Sequence, residues 1–344
     1  MILDDVMGGK SPAKFFATPT KDISREEWLS LRKRGIGGSD AAAILGLSPF
    51  SSPYAVWADK VLDLPEREES EALRIGRDLE EYVARRFSER TGLSVRRENF
   101  ILQSAQNPFM LANIDRRVVG RPAGVECKTT NAYNKKNFVS ADGEVSFPAH
   151  YYVQCVHYLA VTGLEDWYVA CLVMGSDFKV YRLTTNPSVT EDGATDGVVF
   201  VSKDEIDSLI ERERDFWTLV ENRTPPLPDG SDATCDTIRR TYPSSDDDAE
   251  TKDLSDMESR FNEYFDLREQ AKEIDRRITE IENEIKVRMD TSCTAECGAF
   301  RASWKSSARS QIDVKALKEK YPDIAKEMTK VTTTRPFRIL GKKG

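Results

Sequence analysis

The sequence predicts an α/β sandwich, a mixed central sheet flanked by helices, followed by a coiled-coil-like helix and a small α+β module. Three observations predict it. Residues 94–130 read as successive strands, about 94–103, 109–119 and 123–130, each sending alternate side chains to opposite faces. On either side of them, residues 71–90 and 149–162 carry apolar side chains at helical spacing, so helices enclose the strands. Past a proline-rich break at 224–230 the pattern turns helical, beginning at Leu254.

Composition limits the function classes. The chain has 344 residues, 39% hydrophobic and 31% charged, which describes a protein with a real core. It shows neither an apolar run long enough to span a bilayer nor the basic start and apolar stretch of a signal peptide, so a cytoplasmic protein with no membrane partner is expected. Three of the six cysteines, Cys127, Cys155 and Cys171, sit in apolar segments and read as core residues, not as a disulfide framework. The net charge of −8 argues at first sight against nucleic acid. The acidity is regional, however: from Asp229 to Glu258 ten acids face three bases, and from Arg301 onward twelve bases face four acids. A phosphate-binding surface is compatible with that distribution.

Residues 1–23 lack periodicity and are expected to stay loose. Ser24 to Glu27 has the S-x-x-E form of a capping box, opening a short helix that ends at Gly35. In the next stretch, from Gly35 to Gly46, glycines permit close backbone approach and Ser39 or Asp40 caps an alanine-rich helix. With Arg32, Lys33 and Arg34 just upstream, this makes a candidate phosphate pocket; read alone, it equally fits a glycine turn between packed helices. Residues 51–62 form an amphipathic helix. The long helix from Glu71 to Arg90 buries Leu79, Val83 and Phe87 and sets Glu80 beside that stripe, where a carboxylate needs a cation or a donor: a metal and a structural salt bridge both answer.

The strands bring the chemistry. Ten residues separate Asp115 from Glu126, and Gly120 to Gly124 between them has hairpin-turn composition, so the two carboxylates come close together. Glu126 and Lys128 share one face. Paired carboxylates repel unless a cation joins them, and hard oxygen ligands suit magnesium or manganese. Alone, E-x-K also fits an exposed strand with a solvated charged face. The following loop, 131–148, carries Lys135 and Lys136 within reach of a bound phosphate chain, and the helix from Ala149 to Thr162 presents Gln154 with Tyr151, His157 and Tyr158. Strands at 167–174 and 179–184 and a helix at 203–221 complete this domain.

The expected division is a loose 1–23, an α/β domain over 24–223, a proline-rich then acidic linker over 224–250, and a helical, basic module over 251–344. In the last, Leu267, Ala271, Ile274, Ile278, Ile281 and Ile285 alternate by four and three, the spacing of a coiled-coil seam, with Met257, Phe261 and Tyr264 read as out of step. A helical hairpin, a partner helix or self-association each satisfies it. Cys293 and Cys297 have no histidine nearby and are not expected to hold a metal. Segments 301–305 and 335–339 interleave basic and aromatic residues as expected strands around a helix at 314–320, a composition that fits nucleic acid or a solvated small module.

In order, R-x6-S from Arg32 to Ser39, G-x-x-x-E from Gly76 to Glu80, I-D at Ile114 and Asp115, E-C-K at Glu126 to Lys128 and Y-x-x-Q from Tyr151 to Gln154 resemble the motifs of the YqaJ-type phage recombination nucleases. These belong to the lambda exonuclease group of the PD-(D/E)xK nuclease superfamily, and the resemblance runs from about residue 25 to 220. It implies a PD-(D/E)xK core with Asp115 and Glu126 as metal ligands, Glu80 completing or bracing the site, Lys128 and Gln154 as active-site residues, and Arg32 and Ser39 holding a terminal 5′-phosphate. It also implies 5′ to 3′ digestion of one strand of linear duplex DNA with Mg2+, Mn2+ being the alternative. A single-strand annealing protein is the implied partner, and a ring-shaped trimer the implied assembly. Ile114 stands where proline is usual before the first aspartate. The alternatives are an endonuclease on the same core, structure-specific or restriction-like, and a non-catalytic DNA-binding or assembly protein.

Overall fold

The first strand lies where the composition predicts a loose terminus. In the computed structural model, which describes residues 15–65, 69–138, 146–190, 193–331 and 334–341, β1 (Phe15–Pro19) pairs antiparallel with a strand far along the chain, Phe15 opposite Ser104. Its partner is remote, so local composition cannot reveal it. Residues 1–14 of the expected loose stretch lie outside the described residues. Next comes α1 (Arg25–Lys33), where the Ser24 hydroxyl accepts the Glu27 N–H at 3.1 Å. In α2 (Gly38–Ile44) the N-cap is Gly37, not Ser39 or Asp40; Asp40 instead reaches back to accept the Gly37 N–H at 3.0 Å. Following these are α3 (Pro53–Val61) and α4 (Glu71–Thr91), which Gly92 closes in the left-handed conformation.

The two predicted strands 94–103 and 109–119 are each broken. The first gives β2 (Val95–Arg97) and β3 (Phe100–Ser104), and the second gives β4 (Leu111–Asn113) and β5 (Arg116–Val118). Of these, β3 and β4 join β1 in a three-stranded sheet. The others enter a six-stranded sheet with β6 (Ala123–Thr130), which α5 (Ala149–Thr162) connects to β7 (Asp166–Val173), and then β8 (Asp177–Thr184) and β9 (Gly197–Phe200). The order is β2-β5-β6-β7-β8-β9, with β6–β7 and β8–β9 parallel and the rest antiparallel, hence mixed. The break between β4 and β5 falls at Ile114 and Asp115, so Asp115 lies at a bend and not within a strand.

The residues of β7 show why this is a sandwich. Trp167, Val169 and Cys171 pack with Val156 and Leu159 of α5, while Tyr168 and Ala170 pack with Val83 and Phe87 of α4. Each such large apolar side chain, when fully buried, contributes about 1.5–3 kcal/mol. Gly124 on β6 makes room for this layer, because a Cβ there would stand 2.4 Å from the Trp167 ring. A polar tie crosses the same core to α6 (Lys203–Glu221). His157 of α5 bonds Glu213 through Nδ1 and the Leu111 carbonyl through Nε2, both at 2.8 Å.

The expected linker contains a helix, α7 (Asp232–Thr241), that belongs to the first unit, Met1–Tyr242. The Ser52 and Thr234 hydroxyls share a buried hydrogen bond of 2.7 Å that ties α7 to the start of α3. Ser231 caps α7 by accepting the Thr234 N–H, a signal hidden among the turn residues. The second unit, Pro243–Gly344, contains α8 (Glu258–Met289), a hairpin of β10 (Thr294–Cys297) and β11 (Phe300–Ser303), α9 (Val314–Lys320) and α10 (Pro322–Glu327). Residues 335–339, expected as a strand, lie outside any strand. All six cysteines are free. Among the described residues no helix is long and apolar enough to cross a membrane.

Candidate active site

The bend at Asp115 and the register of β6 create the site. Arg116 lies opposite Val125 in the β5–β6 ladder, which carries Asp115 alongside Glu126 and Cys127; the Cys127 N–H donates to Asp115 Oδ2 at 2.8 Å. On β6, Glu126 and Lys128 share a face as the period of two requires, and Lys128 Nζ donates to Glu126 Oε1 at 2.7 Å. From α5, Gln154 bridges the pair: its Oε1 accepts from Lys128 at 2.9 Å and its Nε2 donates to Glu126 Oε1 at 2.7 Å. The amide is oriented from behind by the Tyr158 hydroxyl at 2.8 Å, which itself donates to the Asn113 carbonyl.

The electrostatics call for a cation. Burial, then the neighbouring Glu126 charge, push Asp115 well above the usual carboxylate range. Burial also raises Glu126, with Lys128 opposing. At Lys128 burial works against the ammonium, but the Glu126 and Asp115 carboxylates outweigh it and hold its pKa above the ordinary value. One lysine faces two carboxylates, and Glu126 Oε2 is buried with no hydrogen-bond partner among the described residues. An orphaned carboxylate oxygen beside a second acid fits a divalent ion that prefers hard oxygen donors. These two carboxylates are the candidate donors; among the described residues no three His, Cys, Asp or Glu side chains gather as a metal cluster.

Glu80 forms the salt bridge that one of its two sequence readings expects, and its charge also acts on Asp115 and Glu126. Its Oε1 pairs with Arg116 Nη1 and, at 3.3 Å, with Arg97 Nη2. Arg116, almost wholly buried, also donates to the Asp115 carbonyl at 2.8 Å and to Glu81 at 2.9 Å, so it fixes the bend that aims Asp115. Sequence reasoning missed Arg116; its adjacency to Asp115 on an alternating strand was the available signal.

The pocket residues divide. Arg32 and Ser39 line a cavity of about 180 Å³ together with Gly38, Asp115, Glu126 and Gln154. The Arg32 guanidinium lies 4.8 Å over the Trp28 ring, and its backbone carbonyl accepts from Lys60, which also pairs with Asp40 at 2.8 Å. Arg34, Lys135 and Lys136 are not among the described residues lining this cavity. Arg34 is an exposed helix cap, Lys135 pairs with Asp177 at 3.3 Å in a 3-10 helix at Ala132–Phe138, and Lys136 is exposed. Residues 139–145 of the expected lysine loop lie outside the described residues.

Gly38 is a site residue that the glycine run only hinted at. A Cβ there would meet the Tyr158 ring at 2.7 Å and Gln154 Cγ at 2.9 Å, so α2 can approach the α5 site only through glycine. Gly38→Ala is expected to destabilise the first unit by about 1–3 kcal/mol, as overpacking does. It should also displace Gln154 from Glu126. Urea denaturation checks the first expectation; an unchanged midpoint would refute it.

Comparison with known proteins gives the following. Residues 27–165 match a family model described as "YqaJ-like viral recombinase domain". The uncharacterized protein YqaJ of Bacillus subtilis (strain 168) is 35% identical over 323 residues, covering 92% of this chain and 95% of that protein. Two solved structures are also similar. The alkaline exonuclease of Laribacter hongkongensis has a TM-score of 0.42 and 16% identity over 58% of this chain and 94% of that one. A phage-related exonuclease from Haemophilus somnus 129PT has a TM-score of 0.37 and 12% identity over 57% and 99%.

Proposed function

The chain belongs to the family of YqaJ-like viral recombinases, and from that premise we propose that it is a metal-dependent deoxyribonuclease that digests one strand from a duplex end, 5′ to 3′, leaving a 3′ single strand for annealing. One observation carries the reading: Asp115 and the half-unpartnered Glu126 meet Gln154, Arg32 and Ser39 in one cleft, with Lys128 hydrogen-bonded to two of them. Magnesium or manganese held by Asp115 and Glu126 would supply Lewis acidity at the scissile phosphate and lower the pKa of a bound water.

The chain's own residues do the rest. An ammonium has three N–H donors, and Lys128 spends two on Glu126 and Gln154, which leaves one for an oxygen of the phosphate under attack. Those two bonds hold the ammonium in place before substrate arrives, the condition under which charge stabilisation is most effective. Gln154 orients both Lys128 and Glu126. Arg32 and the exposed Ser39 hydroxyl provide a charged and a neutral donor for a terminal phosphate at the cleft wall. A single-strand annealing protein would receive the 3′ strand, and a ring of three copies would keep the enzyme on its substrate.

End-labelled linear duplex and covalently closed circular DNA, each with magnesium or with a chelator, test the reading. Only the linear substrate with metal should be degraded, from its 5′ ends. A cut circle would move the assignment to an endonuclease, and DNA binding without any cleavage to the non-catalytic alternative. The phosphate pocket has its own test. A 5′-phosphorylated end should be degraded about tenfold to a hundredfold faster than a 5′-hydroxyl end, as one charge-assisted contact allows. Arg32→Ala should erase the difference, and equal rates in the unmodified chain would sink the pocket assignment.

A further inference from the structure

The 32 residues of α8 make a rod of about 48 Å, and its apolar stripe is uncovered: Leu267, Ile274, Ile278, Ile281 and Ile285 are 42–59% exposed. Their alternation by four and three assigns heptad positions, with Leu267, Ile274 and Ile281 at d and Ala271, Ile278 and Ile285 at a. Tyr264, three residues before Leu267, joins the seam at a, in step after all. Such a stripe needs a partner.

We propose that α8 associates with α8 of further copies of this chain in a parallel, in-register coiled coil of more than two strands. The charges beside the seam choose this occupant. Arg260 and Arg288 stand at d, at the two ends of the stripe, and Arg276 at f, and all three pair with acids of their own helix. Arg268, at e, and Arg277, at g, form no ion pair among the described residues. In a parallel pair each g residue faces the e residue five positions later on its neighbour. That brings Glu263 to Arg268 of the next copy and Arg277 to Glu282 of the next copy, so both unpaired guanidiniums meet carboxylates. An antiparallel alignment that keeps a against d instead sets Arg277 against Arg277 and Asp275 against Asp275. The seam chooses the number of strands: isoleucine at both a and d, over Ile274, Ile278, Ile281 and Ile285, favours assemblies larger than the dimer.

Sedimentation of the full chain at low-micromolar concentration is expected to give three or more chain masses, falling to one in Ile278→Asp, which puts carboxylates into one layer of the seam. A second pair of variants keeps the test independent of any local unfolding of α8. Arg277→Glu should lower the assembled fraction at least tenfold, and adding Glu282→Arg should restore it. Restoration requires the two positions to face each other between copies. A wild-type mass of one or two chains, a mass indifferent to Ile278→Asp, or no recovery in the double exchange would overturn the proposal. Assembly through the first unit alone gives the second of these outcomes.

Discussion

Replacing Lys128 with alanine is expected to lower the strand-cleavage rate about a hundredfold or more, the scale of losing one preorganised charge-stabilising group. Duplex-end binding and the fold should persist. Lys128 Nζ lies 2.7 Å from Glu126 and 2.9 Å from Gln154, two residues that line the cleft, and contributes nothing to the apolar layers that hold the sheet. Its removal leaves two buried acids already held above their usual range, and they respond by binding protons instead of unfolding the unit. Gln154→Ala should cost less, since it removes orientation but not charge. Single-turnover cleavage of an end-labelled, 5′-phosphorylated duplex, with circular dichroism as the control for fold, measures both. A near-normal rate in Lys128→Ala would take this residue out of the reaction.

His157→Leu is expected to destabilise the first unit by about 3–5 kcal/mol, because removing one partner leaves the buried Glu213 carboxylate uncompensated. The combined change with Glu213→Leu should recover most of that loss, since replacing both partners by apolar side chains carries no such penalty. A carbonyl only accepts, so the bond to Leu111 fixes a proton on His157 Nε2, and Nδ1 shares the second proton with Glu213. Burial opposes the charged imidazole, yet the Glu213 carboxylate and the Leu111 carbonyl outweigh it and hold the His157 pKa above its ordinary value. Burial raises Glu213 as well, so the pair retains its proton. Sign follows from that direction. A histidine whose folded pKa is raised contributes stability that is fully present below its unfolded pKa of about 6.5 and is lost as pH rises through the folded value. Urea midpoints followed by tryptophan fluorescence should therefore decline above neutral pH in the wild type. His157→Gln should remove that decline, and parallel pH profiles would refute the assignment.

Legibility followed the range of the interactions. Bounds of α5 and α6 were readable to the residue, and those of α4 nearly so, because helical period and caps are local signals. The pairing of Glu126 with Lys128 was readable because alternation along a strand is local too. The β1 strand, the divided strands and α7 were not, since each depends on a partner far away in sequence: Phe15 on Ser104, the two halves of each broken strand on different sheets, Thr234 on Ser52.

By itself, the sequence singled out the candidate residues: two acids, a lysine, a glutamine and an upstream arginine and serine. Tertiary structure alone decided what each one faces. It turned Asp115 onto the Cys127 amide at a bend between two sheets, gave Glu80 to Arg116 and Arg97, and sent Lys135 to Asp177. It also left one oxygen of Glu126 buried and unpaired. The reason is physical. Alternation and periodicity set the face on which a side chain stands, but a charge takes the nearest compensating partner in space, and that partner is chosen by packing between segments that are remote in the chain.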